Sequence, residues 1–460
     1  MVSFARYESY REAEADFLPK IPSHWEMVRA GALFREIVDV GHPDLELLSI
    51  NRFVGITKQS ETGRKTRASR DRSAYKRILP GDLGYNLMNA FMGSIGVSTQ
   101  EGILSPAYAV ARPRREIIPD YFHYLYRTAL YQQQFGRRSY GIMYERNRLY
   151  FARFKTIATL VPPLDEQRAI VAYLRAQDRR IAKLISAKQR LIKLLNEQKQ
   201  TIIHRAVTRG LNPDVPLKPS GIDWLGDVPV HWDTFRLKAL VNNVVEQTTE
   251  KHDDELYVAL EHVEEWSGKL VVKNREGSFQ SQVKQFRTGD LLFGKLRPYL
   301  AKIVRATEPG VCVGEFLVLR PVVDRSIAPF LEVILRSKKF IDLINSSTYG
   351  AKMPRAEWGF IGNVRVPFPP TLAEQIGIID FVASETAGID RAIQAANSEV
   401  NLIREYRDRL ISDVVTGQID VRGWQPPADE SFGDEDIMQE LAEAEEQEES
   451  GEDHEGDEYP

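Results

Sequence analysis

The chain states one pattern twice, about 208 residues apart. Ile21-Pro22-Ser23-His24-Trp25 returns as Val228-Pro229-Val230-His231-Trp232. Pro80-Gly81-Asp82-Leu83 returns as Thr288-Gly289-Asp290-Leu291, and Ala111-Arg112-Pro113 as Leu319-Arg320-Pro321. Val161-Pro162-Pro163-Leu164-Asp165-Glu166-Gln167 returns as Phe368-Pro369-Pro370-Thr371-Leu372-Ala373-Glu374-Gln375 with one residue inserted, and Val207-Thr208 as Val415-Thr416. An internal repeat decides the fold before any local signal does. At 460 residues, each copy is long enough to bury a core. Between the anchors the copies diverge almost completely. One frame is built twice, to present two different surfaces.

Each copy divides into two unlike parts. The first, at about 1–155 and again 213–362, is strand-and-turn text. Short runs with β-branched or aromatic residues (47–50, 95–98, 108–111, 270–272, 302–305, 316–319) are separated by Gly, Pro and Asp. Helical patches intervene at 119–135, with Tyr121, Phe122, Leu125, Tyr126 and Leu130 at helical spacing, and at 329–344. These parts are expected to be mixed α/β domains.

The second part is a long helix, at 156–212 and again 363–423. No Pro or Gly falls between Glu166 and Thr208. Ile170, Leu174, Ile181, Leu184, Leu191, Leu195 and Ile202 follow alternating steps of four and three, interrupted by Gln177, Lys188 and Gln198. Ile378, Val382, Ile389, Ile403, Tyr406 and Leu410 mark the same steps in the second copy. A helix of roughly 43 residues spans about 65 Å. One helix cannot bury so narrow a seam, and the chain supplies two. The expected architecture is two mixed α/β domains joined by two long antiparallel coiled-coil helices, with a pseudo-two-fold internal repeat. The competing arrangement packs each helix on its own domain. A Pro/Gly-rich linker, residues 208–221, leads into the second copy.

The formal net charge of −4 conceals a basic body. Residues 424–460 carry sixteen Asp or Glu and no Lys or Arg, a composition expected to be disordered. All 61 basic residues therefore lie before that tail, against 49 acidic ones. Such an excess favours a polyanionic partner. The basic residues gather in the divergent segments. Arg64, Lys65, Arg67, Arg70 and Arg72 form a run with small polar spacers, suited to gripping phosphates. Arg137, Arg138, Tyr140, Tyr144, Arg146 and Arg148 mix cations with aromatic rings around Asn147. Arg and Asn are the side chains that match guanine and adenine edges. The second copy has Lys273, Arg275, Lys295, Arg297 and Tyr299, and then Tyr349, Lys352 and Arg355 where the Arg137–Arg148 stretch falls in the first. Any one of these is an ordinary surface charge; their recurrence in both copies makes them candidate DNA contacts.

Catalytic equipment is missing. The Pro-Pro pairs follow Val, Phe and Gln and precede no aromatic residue, so the motif that holds an amino group for methylation is absent. Neither a phosphate-binding G-x-x-x-x-G-K-[ST] loop nor a G-x-G-x-x-G turn occurs. The eight histidines show no metal-ligand spacing. His24 and His231 are expected to be structural, because no nucleophile recurs beside them. The single cysteine, Cys312, excludes internal disulfides and suits a reducing cytoplasm. No run of eighteen apolar residues and no signal-like start is found, so no membrane is expected.

In these marks the chain resembles the specificity subunits of type I restriction–modification systems. The marks are 221–232 (GIDWLGDVPVHW) with a worn copy at 15–22, the 289–300 run (GDLLFGKLRPYL), and the Pro-Pro then Glu-Gln entry to each long helix. The resemblance covers about residues 10–423. It implies a non-catalytic subunit with two target-recognition domains, each reading half of a bipartite double-stranded DNA sequence, and a helical spacer between them. It also implies two modification subunits carrying S-adenosylmethionine, and motor–nuclease subunits using ATP and Mg that join through them. Residues 83–91 (LGYNLMNAF) lack the Lys/Arg-Pro-Tyr portion of the signature; Asn86 and Asn89 are the candidates there. The alternative is a coiled-coil scaffold that pairs two protein-binding domains without touching DNA. A methyltransferase fused to its own reader is opposed by the missing nucleotide loop.

Overall fold

The computed structural model describes residues 6–51, 55–61, 71–140, 147–249, 255–271, 282–322, 327–348, 350 and 353–425. The chain divides into two compact units, Met1–Gln189 with Ser398–Pro460, and Arg190–Asn397. The frame of the first unit comprises β1 (Glu26–Arg29), β2 (Phe34–Ile37), β3 (Leu83–Asn86), β4 (Ile95–Val97) and β5 (Tyr108–Pro113). Next come α1 (Pro119–Tyr126), α2 (Ala129–Arg138), α3 (Phe151–Phe154), β6 (Ala158–Val161) and the 46-residue α4 (Leu164–Arg209). The second unit repeats the series with β7 (Asp233–Arg236), β8 (Val241–Val244), β9 (Leu291–Gly294), β10 (Ile303–Arg305) and β11 (Phe316–Pro321). It continues with α5 (Ala328–Leu335), α6 (Lys338–Ser346), α7 (Trp358–Ile361), β12 (Arg365–Phe368) and the 44-residue α8 (Leu372–Val415).

The copies share one topology. Each holds a four-stranded antiparallel sheet, ordered β2-β5-β3-β4 in the first unit and β8-β11-β9-β10 in the second. Each also has a separate antiparallel pair, β6 with β1 and β12 with β7. In the first unit one sheet face, with Leu83, Tyr85, Ala109 and Ala111, packs on Tyr121, Phe122, Leu125 and Tyr126 of α1. Val110 on the opposite face joins Leu48, Ile50, Ile56, Ile78 and Leu104 from two small antiparallel strand pairs. Burial on both faces explains why these strands are short apolar runs rather than alternating ones. The single helical patch expected at 119–135 is two helices, and so is its counterpart. Thr128 and Ser337 adopt extended backbone (ψ 149° and 136°) between them. Their hydroxyls donate to the carbonyls of Leu125 and Ile334, closing the helix before.

The long helices bury different residues along their length. Within the first unit, Ile170, Val171 and Leu174 of α4 and Leu410, Ile411, Val414 and Val415 of α8 enter the domain core. Further along, Ile181, Ala182 and Ile185 meet Val400 and the half-buried Ile403. Lys188 pairs with Glu399 at 2.5 Å and Arg407 with Asp178 at 2.7 Å, so the segments run antiparallel. Within the second unit, Ile203, Ala206 and Val207 of α4 and Ile378 and Val382 of α8 join the core, and Lys199 pairs with Asp390 at 2.5 Å. Of the expected seam, Leu195, Ile202 and Ile389 are half-buried, whereas Leu184, Leu191 and Tyr406 are exposed at 46 %, 43 % and 51 %. The buried stripe passes through Ile185 and Ile203 instead, one position later. A helix of 3.6 residues per turn drifts about 20° per heptad from a 3.5-residue seam. The helix ends are moreover gripped by the domains, whose contact face is wider than a coiled-coil seam.

Candidate nucleic-acid interface

The repeated words of the sequence are internal fastenings. Trp25 donates its indole N–H to Glu166 Oε2 at 2.9 Å, and His24 contacts Glu166 Oε1 at 2.6 Å. Trp232 and His231 hold Glu374 in the same way, at 2.8 and 3.1 Å. The neighbouring Gln167 accepts from the Ile118 amide ahead of α1 and donates to the Pro162 carbonyl; Gln375 does the same for Ile327 and Pro369. Glu-Gln therefore ties the start of each long helix to its domain. Asp82 and Asp290, both buried, accept both prongs of Arg112 and Arg320 at 2.7–2.9 Å. Their second task is to accept the amides of Leu79 and Arg287, which shapes the turn before β3 or β9. The hydrogen bonds raise both guanidinium pKa values further. None of these groups is left over for a ligand.

What remains is a pair of loops in each unit, stitched at the same point. The Leu149 amide donates to the Leu87 carbonyl at 2.7 Å, joining the segment before α3 to the one after β3. In the second unit the Ala356 amide donates to the Lys295 carbonyl at 2.9 Å, and the Arg297 amide to Pro354 at 2.8 Å. The divergent loops thus rest on a shared backbone contact while their side chains differ.

In the first unit, Arg72, Arg137, Arg138, Tyr140 and Arg148 are described. Tyr140 and Arg148 pair backbone to backbone across the loop. Arg137, Tyr140 and Arg148 are exposed, whereas Arg138 is half-buried and donates to Gln134. Burial and neighbouring Arg137 lower the Arg138 pKa. Asn86 accepts the amides of Met88 and Asn89 through Oδ1, so it shapes its turn; Asn89 is exposed. In the second unit Arg297 sits in the left-handed region (φ 48°) ahead of a one-turn helix, Pro298–Leu300. For a residue with a Cβ this costs about 1–2 kcal/mol, a form of strain that concentrates at ligand-binding positions. Tyr299 is 43 % exposed, Lys295 is half-buried, and Arg355 is held by Glu315 at 3.0 Å. Arg64, Lys65, Arg67, Arg70, Tyr144, Arg146, Lys273, Arg275, Tyr349 and Lys352 lie outside the described residues.

Two residues beside this surface escape the motif reading. Tyr150 is 38 % exposed with its ring 5.5 Å from that of Tyr140, and the Arg153 guanidinium lies 5.6 Å over the Tyr140 ring. The interleaving of Arg148, Tyr150, Phe151 and Arg153 was the available signal; helical phase alone did not separate Tyr150 from buried Phe154. Among the described residues no group of His, Cys, Asp and Glu is placed to hold a metal, and no helix is long and apolar enough to cross a membrane. Cys312 is buried, which pushes its thiol up to about 12.

Fold and site define a class: duplicated mixed α/β units, each packed on segments of two long helices, with a common frame and unlike loops. No protein-family model matches the chain. A solved chain from work on complex assembly and conformational transition of the type I R-M system shares the fold, at TM-score 0.61 and 16 % identity, covering 87 % of this chain and 100 % of that one. In sequence, the chain is 23 % identical over 469 residues to the putative type I restriction enzyme MjaX specificity subunit of Methanocaldococcus jannaschii, covering 92 % of this chain and 99 % of the relative. It is 22 % identical over 210 residues to the type I restriction enzyme EcoDI specificity subunit of Escherichia coli, a match spanning 45 % of this chain and 44 % of that one. The resemblance to type I specificity subunits is thus carried by sequence along most of the chain.

Proposed function

We propose that this chain is the non-catalytic, sequence-specific DNA-binding subunit of a type I restriction–modification complex. The observation that carries this reading is the pairing of identical frames with unlike loops. Each unit repeats the same sheet, the same Asp–Arg lock and the same loop stitch, yet offers different basic and aromatic side chains. Residues 1–155 and 213–362 are the target-recognition domains, 156–212 and 363–423 the spacer helices, and 424–460 an acidic tail. Two half-sites at a fixed gap form the target, and the spacer sets the gap. Within the second unit, exposed Leu191 and Leu194 on α4 suit docking of a modification subunit; two such subunits supply S-adenosylmethionine, and motor–nuclease subunits with ATP and Mg join through them. The complex works on cytoplasmic DNA.

The test is to co-express the chain with its neighbouring methyltransferase and map methylated adenines across a genome. Two half-motifs at one fixed separation are expected. A continuous motif, or none, refutes the proposal. Binding should also weaken steeply with salt, because several phosphates are neutralised; a pure protein scaffold has no such slope.

A further inference from the structure

The short helix beside the loop stitch carries opposite chemistry in the two units. In the first, α3 is preceded by Tyr150 and presents Arg153 as its third residue. In the second, α7 is preceded by Glu357 and presents Phe360, 40 % exposed, in that place. Backbone and burial of the anchoring residue match: Phe154 and Ile361, the fourth residue of each, are fully buried. The difference therefore lies on the outward side.

Around α3 the outward groups form a cluster. Tyr140 is 54 % exposed and its ring lies under the Arg153 guanidinium. Among the described residues no carboxylate is paired with Arg137, Arg148 or Arg153, whereas Arg355 of the second unit is already held by Glu315. Guanidiniums with no carboxylate partner among the described residues suit an external anion, and aromatic faces beside them favour planar bases. A guanidinium resting on a ring also keeps its fork oriented and loses less freedom when it binds. That fork matches the O6 and N7 acceptors of guanine in the major groove.

We propose that Arg153, oriented by Tyr140 and flanked by Tyr150, is a specificity-determining residue that reads a guanine edge in the half-site of the first unit. The inference rests on the proposed DNA-reading function and adds to it the residue, the base and the half-site. The decisive experiment uses the complex of the full chain with its methyltransferase partner, and selection of bound duplexes from a library randomised in both half-sites. Arg153→Ala should cut discrimination at one guanine position of one half-site by roughly ten-fold or more, leaving the other half-site within two-fold of wild type. Arg153→Lys, which keeps the charge and loses the fork, should lose the same preference while keeping the salt slope. Tyr140→Leu should weaken that preference in the same direction. A uniform loss over all sequences makes Arg153 a phosphate contact and overturns the inference, as does an unchanged preference. If the wild-type complex selects no bipartite target, the parent reading falls, and the inference with it. If wild type selects one and Arg153→Ala selects the same one, only the inference falls.

Discussion

Removal of the glutamate at the head of each long helix should cost unequal amounts in the two units. Glu166 accepts the Trp25 indole N–H and contacts His24, and its side chain is 10 % exposed. Glu374 holds Trp232 and His231 with similar distances, but its side chain is 27 % exposed and its histidine partner 46 % exposed. Both tryptophans are buried. A hydrogen bond to a charged acceptor contributes about 1.5–3 kcal/mol, and a buried donor left unpaired costs about 1–3 kcal/mol. Glu166→Ala leaves the buried Trp25 N–H without its charged acceptor, so a local loss of about 3 kcal/mol is expected. At Glu374 water can replace part of the lost acceptor, and about 1.5 kcal/mol is expected. The chain has two units, so a single melting curve does not isolate either effect. Native-state hydrogen exchange does: the slowest amides of β1 and β6 should speed up roughly a hundred-fold in Glu166→Ala, and those of β7 and β12 roughly ten-fold in Glu374→Ala. A cycle with Trp25→Phe should show coupling of about 1 kcal/mol or more. Equal losses in the two units, or additivity of Glu166→Ala with Trp25→Phe, would refute the account of Glu166 as the pin between domain and helix.

Three further outcomes are expected. Arg297→Ala should relax one base position of the second unit's half-site by roughly ten-fold in a library selection; equal weakening on every sequence would make it a phosphate contact. Deleting one heptad from both long helices shortens each by about 10 Å, so the gap between methylated half-sites should contract by about 3 base pairs, and an unchanged gap sinks the ruler. His204, half-buried with no hydrogen-bond partner at Nδ1 among the described residues, has its pKa lowered to about 4 by burial and by Lys339 and Arg209. The unfolded imidazole takes up its proton near 6.5, as an unperturbed histidine does. Stability from this group is complete above about pH 6.5 and is lost as the pH falls toward 4. Exchange protection around His204 should fall between pH 7 and pH 5 in wild type and change less in His204→Gln; parallel slopes would refute the assignment.

Much of the frame was legible because it depends on local and periodic signals. The Pro-Pro/Glu-Gln entry, the unbroken 43-residue stretch and the duplicated anchors required long helices leaving similar domains. What Glu166 and Gln167 do was not legible. Their partners Trp25, His24 and Ile118 lie far away in sequence, and only folding brings them together. The seam was legible in kind and displaced in detail. Leu184 and Ile185 are adjacent apolar residues, and the choice between them depends on the partner's direction, which no single helix encodes. On the candidate interface, Tyr140, Arg148 and Arg297 could be named from composition, but the basic pattern also named Arg355 and passed over Arg153. Arg153 lies over an exposed ring, and Arg355 is held by Glu315.

The sequence by itself determined that one frame occurs twice, that its two copies present different surfaces, and that a basic body precedes an acidic tail. Those are properties of order and composition along the chain. Only the tertiary structure decided which charges have a carboxylate partner among the described residues. A guanidinium's availability depends on whether a carboxylate lies within a few ångströms, and at Arg112, Arg320 and Arg355 that carboxylate comes from a distant residue. Repetition marked the residues that hold each domain together, and folding separated them from the few that face outward.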